Sequence, residues 1–285
     1  MNIGPFYREL RDRFRAAGLP TPELDARILI AHVTELRPSD IVLAEDRALT
    51  VEQASDLRVK ANQRVGGKPV GRILGEREFY GLVFKLNDAT LEPRPDTETL
   101  IDAVLARAQT GKPFRLADIG TGTGAIAVAL LSECPHATAL AVDLSPDALS
   151  CAYDNAALNE VEDRLLVAQS DFCEAVGQGY DWLISNPPYI RSDVIRELSD
   201  EVRLHDPALA LDGGQDGLEA YRRIVAQSHR ILKDGGWIAF EIGYDQAGSV
   251  SALLLENDYC DVEVLQDLAG QDRVVAGRKG KSAGF

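Results

Sequence analysis

The chain has 285 residues, 45% hydrophobic and 26% charged, with 30 Lys and Arg against 45 Asp and Glu, a net charge of −15. That is room for one large domain, or a domain with a smaller partner, with a core needing no disulfide or metal, and it excludes disorder and collagen-like structure. So acidic a chain lacks the general cationic surface that grips duplex DNA, unless as a local patch.

The charge is unevenly placed. Residues 1–80 carry 13 basic and 12 acidic side chains, and residues 81–285 carry 17 and 33. This points to two modules. Cys134, Cys151, Cys173 and Cys260 lie far apart with no CxxC pair, so reduced thiols are expected, with neither a disulfide framework nor a metal site. The first residues carry no basic segment before an apolar run, so no signal peptide is expected. No stretch approaches the ~18–20 apolar residues of a membrane span. A soluble, cytoplasmic protein is expected.

Residues 1–65 read as a small helical bundle. Phe6, Leu10 and Phe14 recur at helical spacing, and Leu24, Ile28, Ile30 and Val33 nearly do. Gly18 to Pro22 separates the two, with Thr21 as the expected N-cap and Pro22 at the first helical position. A third helix is predicted over 51–65, capped by Thr50. Gly66-Gly67-Lys68-Pro69 then breaks the chain. Short β-like stretches at 78–80 and 82–86 around Gly81 predict a hairpin linker that ends at Pro93-Arg94-Pro95.

From residue 97 strands and helices alternate. Strands are predicted over 115–119, 137–143, 165–169, 182–185, 237–242, 262–265 and 273–276. Helices are predicted over 98–108, 124–132, 146–158, 217–232 and 246–256. The pattern implies an α/β fold with a seven-stranded, mostly parallel sheet. The short break before the last strand favours a C-terminal antiparallel hairpin over a crossover. The expected domains are 1–76 (helical), 77–93 (linker) and 94–285 (α/β).

The first strand of the alternating region contains Asp118 and runs into Gly120-Thr121-Gly122-Thr123-Gly124, then a helix. This is GxGxG, neither the dinucleotide GxGxxG nor a phosphate loop. Glycines there let backbone approach a ligand beyond the strand ends. The next strand ends in Asp143, a carboxylate able to accept both ribose hydroxyls of a nucleoside, or else to cap a helix. The third ends in Asp171-Phe172, where Phe172 suits stacking on adenine and Asp171 suits its exocyclic amine. These three strand ends resemble the class I methyltransferases that use S-adenosylmethionine, a Rossmann-like fold. The resemblance implies that Asp118, residues 120–124 and Asn186 lie at the cofactor, with residues 120–124 approaching its methionine portion, Asp143 the ribose, and Asp171 and Phe172 the adenine.

The fourth strand runs into Asn186-Pro187-Pro188-Tyr189. Planar nitrogens with delocalised lone pairs attack a sulfonium poorly. The Asn186 side-chain oxygen and the Pro187 carbonyl, as two fixed acceptors, favour a pyramidal nitrogen and its developing charge. The prolines fix φ, and Tyr189 offers a ring to pack on the planar group. No histidine adjoins the motif, and a proton leaving after methyl transfer needs no strong base.

Two acceptors of this kind are known for NPPY: adenine in DNA and glutamine in proteins. The chain resembles the HemK-type release-factor glutamine methyltransferases along nearly its whole length. Matching stretches are residues 23–27, 67–70, 73–75 and 79–82, Pro93 to Glu98, Asn186 to Ile190, Leu211 to Leu218, Phe240-Glu241-Ile242-Gly243 and Asp272 to Arg278. Glu92 departs from a usually apolar position, and Phe172 stands where some members have tryptophan.

The resemblance implies methylation of the glutamine in the Gly-Gly-Gln motif of class I peptide release factors, with the helical module docking that partner. It also implies a monomer without direct DNA or membrane binding. The acidic second part fits a basic surface around the release factor's glutamine loop. Phe79, in the linker, is expected either to wall the substrate pocket or to pack between domains. An Arg94–Glu98 ion pair or a role for both in the site is expected, and a mobile loop at Gly213-Gly214. A ribosomal protein as the glutamine substrate, and an adenine-amino DNA methyltransferase, remain as alternatives.

Overall fold

A computed structural model describes residues 1–108 and 110–280; residues 109 and 281–285 of the expected α/β domain lie outside the described residues. The first half contains α1 (Ile3–Ala16), α2 (Pro22–Thr34), α3 (Val51–Val65), α4 (Val70–Leu74), β1 (Glu76–Phe79), β2 (Leu82–Lys85) and α5 (Glu98–Leu105). There follow β3 (Arg115–Ile119), α6 (Ala125–Glu133), β4 (Thr138–Asp143), α7 (Pro146–Leu158), β5 (Leu165–Gln169) and β6 (Tyr180–Ser185). The chain ends with α8 (Asp200–His205), α9 (Glu219–Ile231), β7 (Leu232–Glu241), α10 (Ala247–Glu256), β8 (Tyr259–Gln266) and β9 (Asp272–Lys279). Two compact units result: Met1–Glu76 with Asp200–His205, and the described residues of 77–199 with those from Asp206 onward.

The first unit is helical. Phe6, Leu10 and Phe14 of α1 are buried on one face, as their spacing predicts. Thr50 caps α3 in a reciprocal capping box, accepting from Gln53 N–H and donating its own N–H to Gln53 Oε1, both at 3.1 Å. Thr21 does not cap; its hydroxyl donates to Asp25 Oδ1 at 2.8 Å.

In α2 the apolar spacing is right for Ile28, Ile30 and Val33, which pack on the core, and wrong for Leu24. Leu24 is 49% exposed, whereas Asp25, Ala26, Leu29 and Ile30 are buried. Asp25 is drawn inside by an ion pair, because the buried Arg64 guanidinium donates to it at 2.6 Å and also pairs with Glu201 of α8. The helical turn α4 falls where only a break was expected. It starts after Pro69 and ends at Gly75, whose φ of +76° closes it.

In the second unit a seven-stranded sheet has the order β5-β4-β3-β6-β7-β9-β8. The pairs β5-β4, β4-β3, β3-β6 and β6-β7 are parallel; β9 is antiparallel to β7 and β8. This is the predicted sheet and terminal hairpin. One core layer takes in Leu100 and Val104 of α5 and Val128 to Leu131 of α6. The other takes in Tyr221 and Ile224 of α9 and Val250 and Leu254 of α10. Alternation along β3 sends Leu116 to the first layer and Ala117 to the second.

The β1–β2 hairpin is an integral part of this unit rather than a free linker. Phe79 and Phe84 are buried in its core, edge to face at 6.0 Å. Asn155 of α7 accepts from the Lys85 N–H at 2.7 Å and donates to its carbonyl at 3.1 Å. Phe79 therefore packs inside the second unit and is not among the residues lining the cavity at the strand C-termini, correcting its expected place. Glu92 is buried too, and Arg77 at 3.3 Å compensates its charge.

Candidate active site

Strand order inverts beside β3, with β4 on one side and β6 on the other, and ligands bind at such switch points beyond the strand C-termini. A cavity of about 810 Å³ opens there, lined entirely by the second unit. The loop after β3 is built for close approach. Gly120, Gly122 and Gly124 have φ of +72°, +55° and +79°. At Gly120 and Gly122 an added Cβ would meet nothing within 4 Å, so conformation and open space set the requirement. At Gly124 it would sit 3.0 Å from the Ala152 Cβ of α7.

The loop is pinned from below. The N–H groups of Gly120 and Thr121 both donate to the Val142 carbonyl at 2.9 Å. The Thr121 hydroxyl donates to Asp118 Oδ2 at 2.6 Å. Asp118 is fully buried, and burial pushes its carboxyl up to about 6, against the pull of Thr121 and the Ala127 N–H. It lies beneath the cavity wall and supports the loop, so the expectation that it lines the ligand site is corrected. Asp143 reaches the wall from β4. Its Oδ2 accepts from the Gly122 N–H at 2.9 Å, and its Oδ1 accepts from the Ser145 N–H at 3.0 Å. Ser145 caps α7, accepting from the Ala148 N–H at 3.3 Å.

Asp171 and Phe172 also line the cavity. Phe172 adopts φ +47°, outside the region its side chain favours. Arg223 of α9 holds both: its guanidinium lies 4.6 Å from the Phe172 ring centroid and 2.7 Å from Asp171. No sequence spacing pointed to Arg223, which is 52 residues from Asp171.

Asn186 and Pro188 form the wall beside the glycine loop, together with Arg94 and Thr97. The Ser185 hydroxyl donates to the Ile119 carbonyl at 2.6 Å, tying β6 to the end of β3. The Asn186 Nδ2 donates to Thr97 Oγ1 at 3.4 Å. Pro187 is buried, and Tyr189 is half-buried and not among the lining residues. The Tyr189 hydroxyl points to Glu241 Oε1 at 3.5 Å, and burial pushes its phenol well above the ordinary range. Tyr189 therefore braces the corner rather than offering an open ring.

The segment 211–218 clamps the same corner. Ile190 N–H donates to the Leu211 carbonyl at 3.0 Å, and Gly213 N–H donates to the Ile190 carbonyl at 2.8 Å. A Cβ on Gly213 would meet Pro188 and Tyr189 backbone at 2.8 Å, so Gly213 is a close-packed contact rather than part of a free loop. Arg94 and Glu98 do not pair with one another. Arg94 binds the buried Asp206 at 2.5 Å, and Glu98 accepts from the Tyr80 N–H at 3.1 Å. Among the described residues no cluster of three or more His, Cys, Asp or Glu could hold a metal ion.

A mostly parallel sheet with this glycine loop after its central strand and acidic side chains at the neighbouring strand ends is a Rossmann-like, S-adenosylmethionine-dependent methyltransferase. Solved structures share the fold. The catalytic domain of hMettl16 superposes with a TM-score of 0.58 at 17% identity, over 81% of this chain and 82% of that one. A methyltransferase from Pyrococcus furiosus gives 0.54 at 15%, over 79% and 99%.

Residues 95–203 match the methyltransferase small domain family, and residues 6–75 match the PrmC N-terminal domain. Similar proteins named release factor glutamine methyltransferase occur in Agrobacterium fabrum (43% identity over 94% of each chain) and Bradyrhizobium diazoefficiens (44% over 95% of this chain and 93% of that). A third is that of Cereibacter sphaeroides, 43% identical over 98% and 99%. The chain belongs to the release factor glutamine methyltransferase family.

Proposed function

We propose that this chain transfers a methyl group from S-adenosylmethionine to the side-chain amide nitrogen of the glutamine in the Gly-Gly-Gln motif of class I peptide release factors. The observation that carries this reading is the Asn186 amide at the cavity wall. Its Nδ2 is engaged by Thr97, which leaves Oδ1 free to accept a hydrogen bond from a substrate amide. The 810 Å³ cavity, the open loop at Gly120 and Gly122 and the Asp143 carboxylate fit the methyl donor. When bound, that donor supplies an electrophilic methyl group on a sulfonium.

The residues of the chain do the rest. The backbone of residues 120–124, with Thr121 and Thr123, holds the amino-acid end of the donor. Asp143, already oriented by two N–H groups, takes the ribose. Asp171 and Phe172, held by Arg223, take the adenine. Asn186 Oδ1 and the Pro187 carbonyl accept hydrogen bonds from the two N–H groups of the glutamine amide and stabilise positive charge growing on its nitrogen, and one of those protons leaves to solvent after methyl transfer. Pro188 packs against the incoming glutamine, and Tyr189 keeps the corner rigid.

The same reading assigns release-factor recognition to the first unit, and a monomeric, cytoplasmic enzyme that makes no direct contact with DNA. Among the described residues no helix is long and apolar enough to cross a membrane. The test is incubation with labelled S-adenosylmethionine and purified release factor, wild type or with Gln→Ala in Gly-Gly-Gln. Label is expected on the wild type alone. Equal labelling of both, or none on either, rejects the assignment.

A further inference from the structure

Glu241 is a buried carboxylate next to the reactive corner, with no role in the reaction as described above. It ends β7, and β7 pairs with β6 so that Phe240 lies opposite Ser185, which puts Glu241 level with Asn186. It is 2% exposed and absent from the cavity wall. Its Oε1 accepts from the Tyr189 hydroxyl at 3.5 Å, and its Oε2 is buried without a hydrogen-bond partner. A buried, half-satisfied carboxylate is a standing cost, and such costs collect at functional sites.

The groups around it come from four elements. Thr97 and Asp96 of the turn before α5, Arg273 of β9 and Tyr189 of the corner all act on its charge. Tyr221 of α9 donates to its backbone carbonyl at 2.9 Å. The decisive neighbour is Thr97, itself only 5% exposed. Its oxygen accepts from Asn186 Nδ2, so its own proton must go elsewhere. Glu241 is the anionic neighbour that this hydroxyl stabilises. A carboxylate accepts only, so the direction runs one way: the Thr97 hydroxyl donates a hydrogen bond towards Glu241, Asn186 Nδ2 donates one to Thr97, and Asn186 Oδ1 is left turned to the cavity.

We propose that Glu241 is a positioning residue for methyl transfer, acting in its ionised form through Thr97 to fix the Asn186 amide with its oxygen towards the substrate nitrogen. This rests on the role given to Asn186 above. Tyr189, held by the same carboxylate, fixes the other end of the tetrapeptide. Protonation turns Glu241 into a group that can donate as well as accept, so the direction is no longer fixed and the Asn186 amide is free to turn over. Burial raises the Glu241 carboxyl to about 7, opposed by Thr97, Arg273 and Tyr189, so the change falls within the working range of pH.

The test is the single-turnover rate of glutamine methylation from pH 5.5 to 9, with the affinity for S-adenosylmethionine measured alongside. In the wild type the rate is expected to rise with pH through about 7. In Glu241→Gln the rate is expected to fall roughly tenfold or more above pH 8 and to lose that rise, with donor affinity changed less than about twofold, as for loss of a contact made only in the transition state. Thr97→Val probes the relay from its other end while Glu241 itself is kept, and the same loss of rate and pH dependence is expected. Thr97→Ser should restore both.

A Glu241→Gln enzyme with the wild-type rate, or with a reduced rate and an unchanged pH rise, overturns the proposal alone. So does a Thr97→Val enzyme that keeps the pH rise. A wild type that leaves the glutamine unlabelled overturns the reading beneath it. Should Glu241→Gln fail to fold, Thr97→Val and Thr97→Ser decide.

Discussion

At the residue scale, Asn186 is a side chain whose two ends do different work. Its nitrogen is spent on Thr97, and its oxygen is kept for the substrate. Asn186→Ala should therefore leave donor binding within about twofold, as isothermal titration would measure, while methyl transfer falls by a factor of ~100–1000, the usual loss for one preorganised contact. A comparable loss of donor binding would mean that Asn186 mainly shapes the donor site. Asn186, Asp143 and the glycine loop were legible in the sequence because each follows a strand directly, where short-range pattern fixes position. Thr97 and Arg223 were not, because they sit 89 and 52 residues from the groups they hold. Phe79 shows the converse error: an aromatic residue near a motif in sequence is, in space, one more side chain of the core.

At the element scale, periodicity worked where helices bury only apolar faces and failed where one buries a charge. The apolar residues of α2 outline a stripe through Leu24, Ile28, Ile30 and Val33, yet Leu24 is exposed and Asp25 faces inward to Arg64 in its place. Hydrophobicity cannot predict that exchange, since the partner lies 39 residues away. Removing one member of a buried pair leaves the other charge uncompensated, at a cost of ~3–5 kcal/mol. Arg64→Met should destabilise the first unit by that order in urea unfolding. The double change Arg64→Met with Asp25→Leu should recover much of it. A single change that costs nothing would mean that the pair contributes no specificity to α2. By contrast, the start of α3 could be read from Thr50, because a cap is a contact within four residues.

At the scale of the whole molecule, two buried carboxyls hold protons past the usual range, Asp118 to about 6 and Glu241 to about 7. Both values are raised above those of an unfolded chain. Their contribution to stability is thus fully present below about pH 4 and is lost as pH rises through about 6 and then about 7. Glu241→Gln should therefore unfold at a higher temperature than wild type at pH 8.5, with a gain on the order of 3 kcal/mol, and show little gain at pH 4.5. Calorimetry at the two pH values checks this, and an equal gain at both would remove the carboxyl's titration as its cause. A variant both more stable and slower is the expected signature of a strained functional site.

The amino-acid sequence alone determined what short-range chemistry determines: the alternation of strands and helices, the terminal hairpin, the loop glycines at positive φ, the rigid proline corner and the unequal division of charge. Only the tertiary structure decided the order of the strands, and with it that the glycine loop and Asn186 share one wall. It also decided which charges are buried in pairs, that the 77–93 hairpin belongs to the core, and that Thr97, Glu241 and Arg223 stand behind the site. The reason is physical. A turn, a cap or a strand end is satisfied by neighbours along the chain, whereas a buried polar group is satisfied by whatever the packed fold brings to it, and sequence spacing holds no record of that partner.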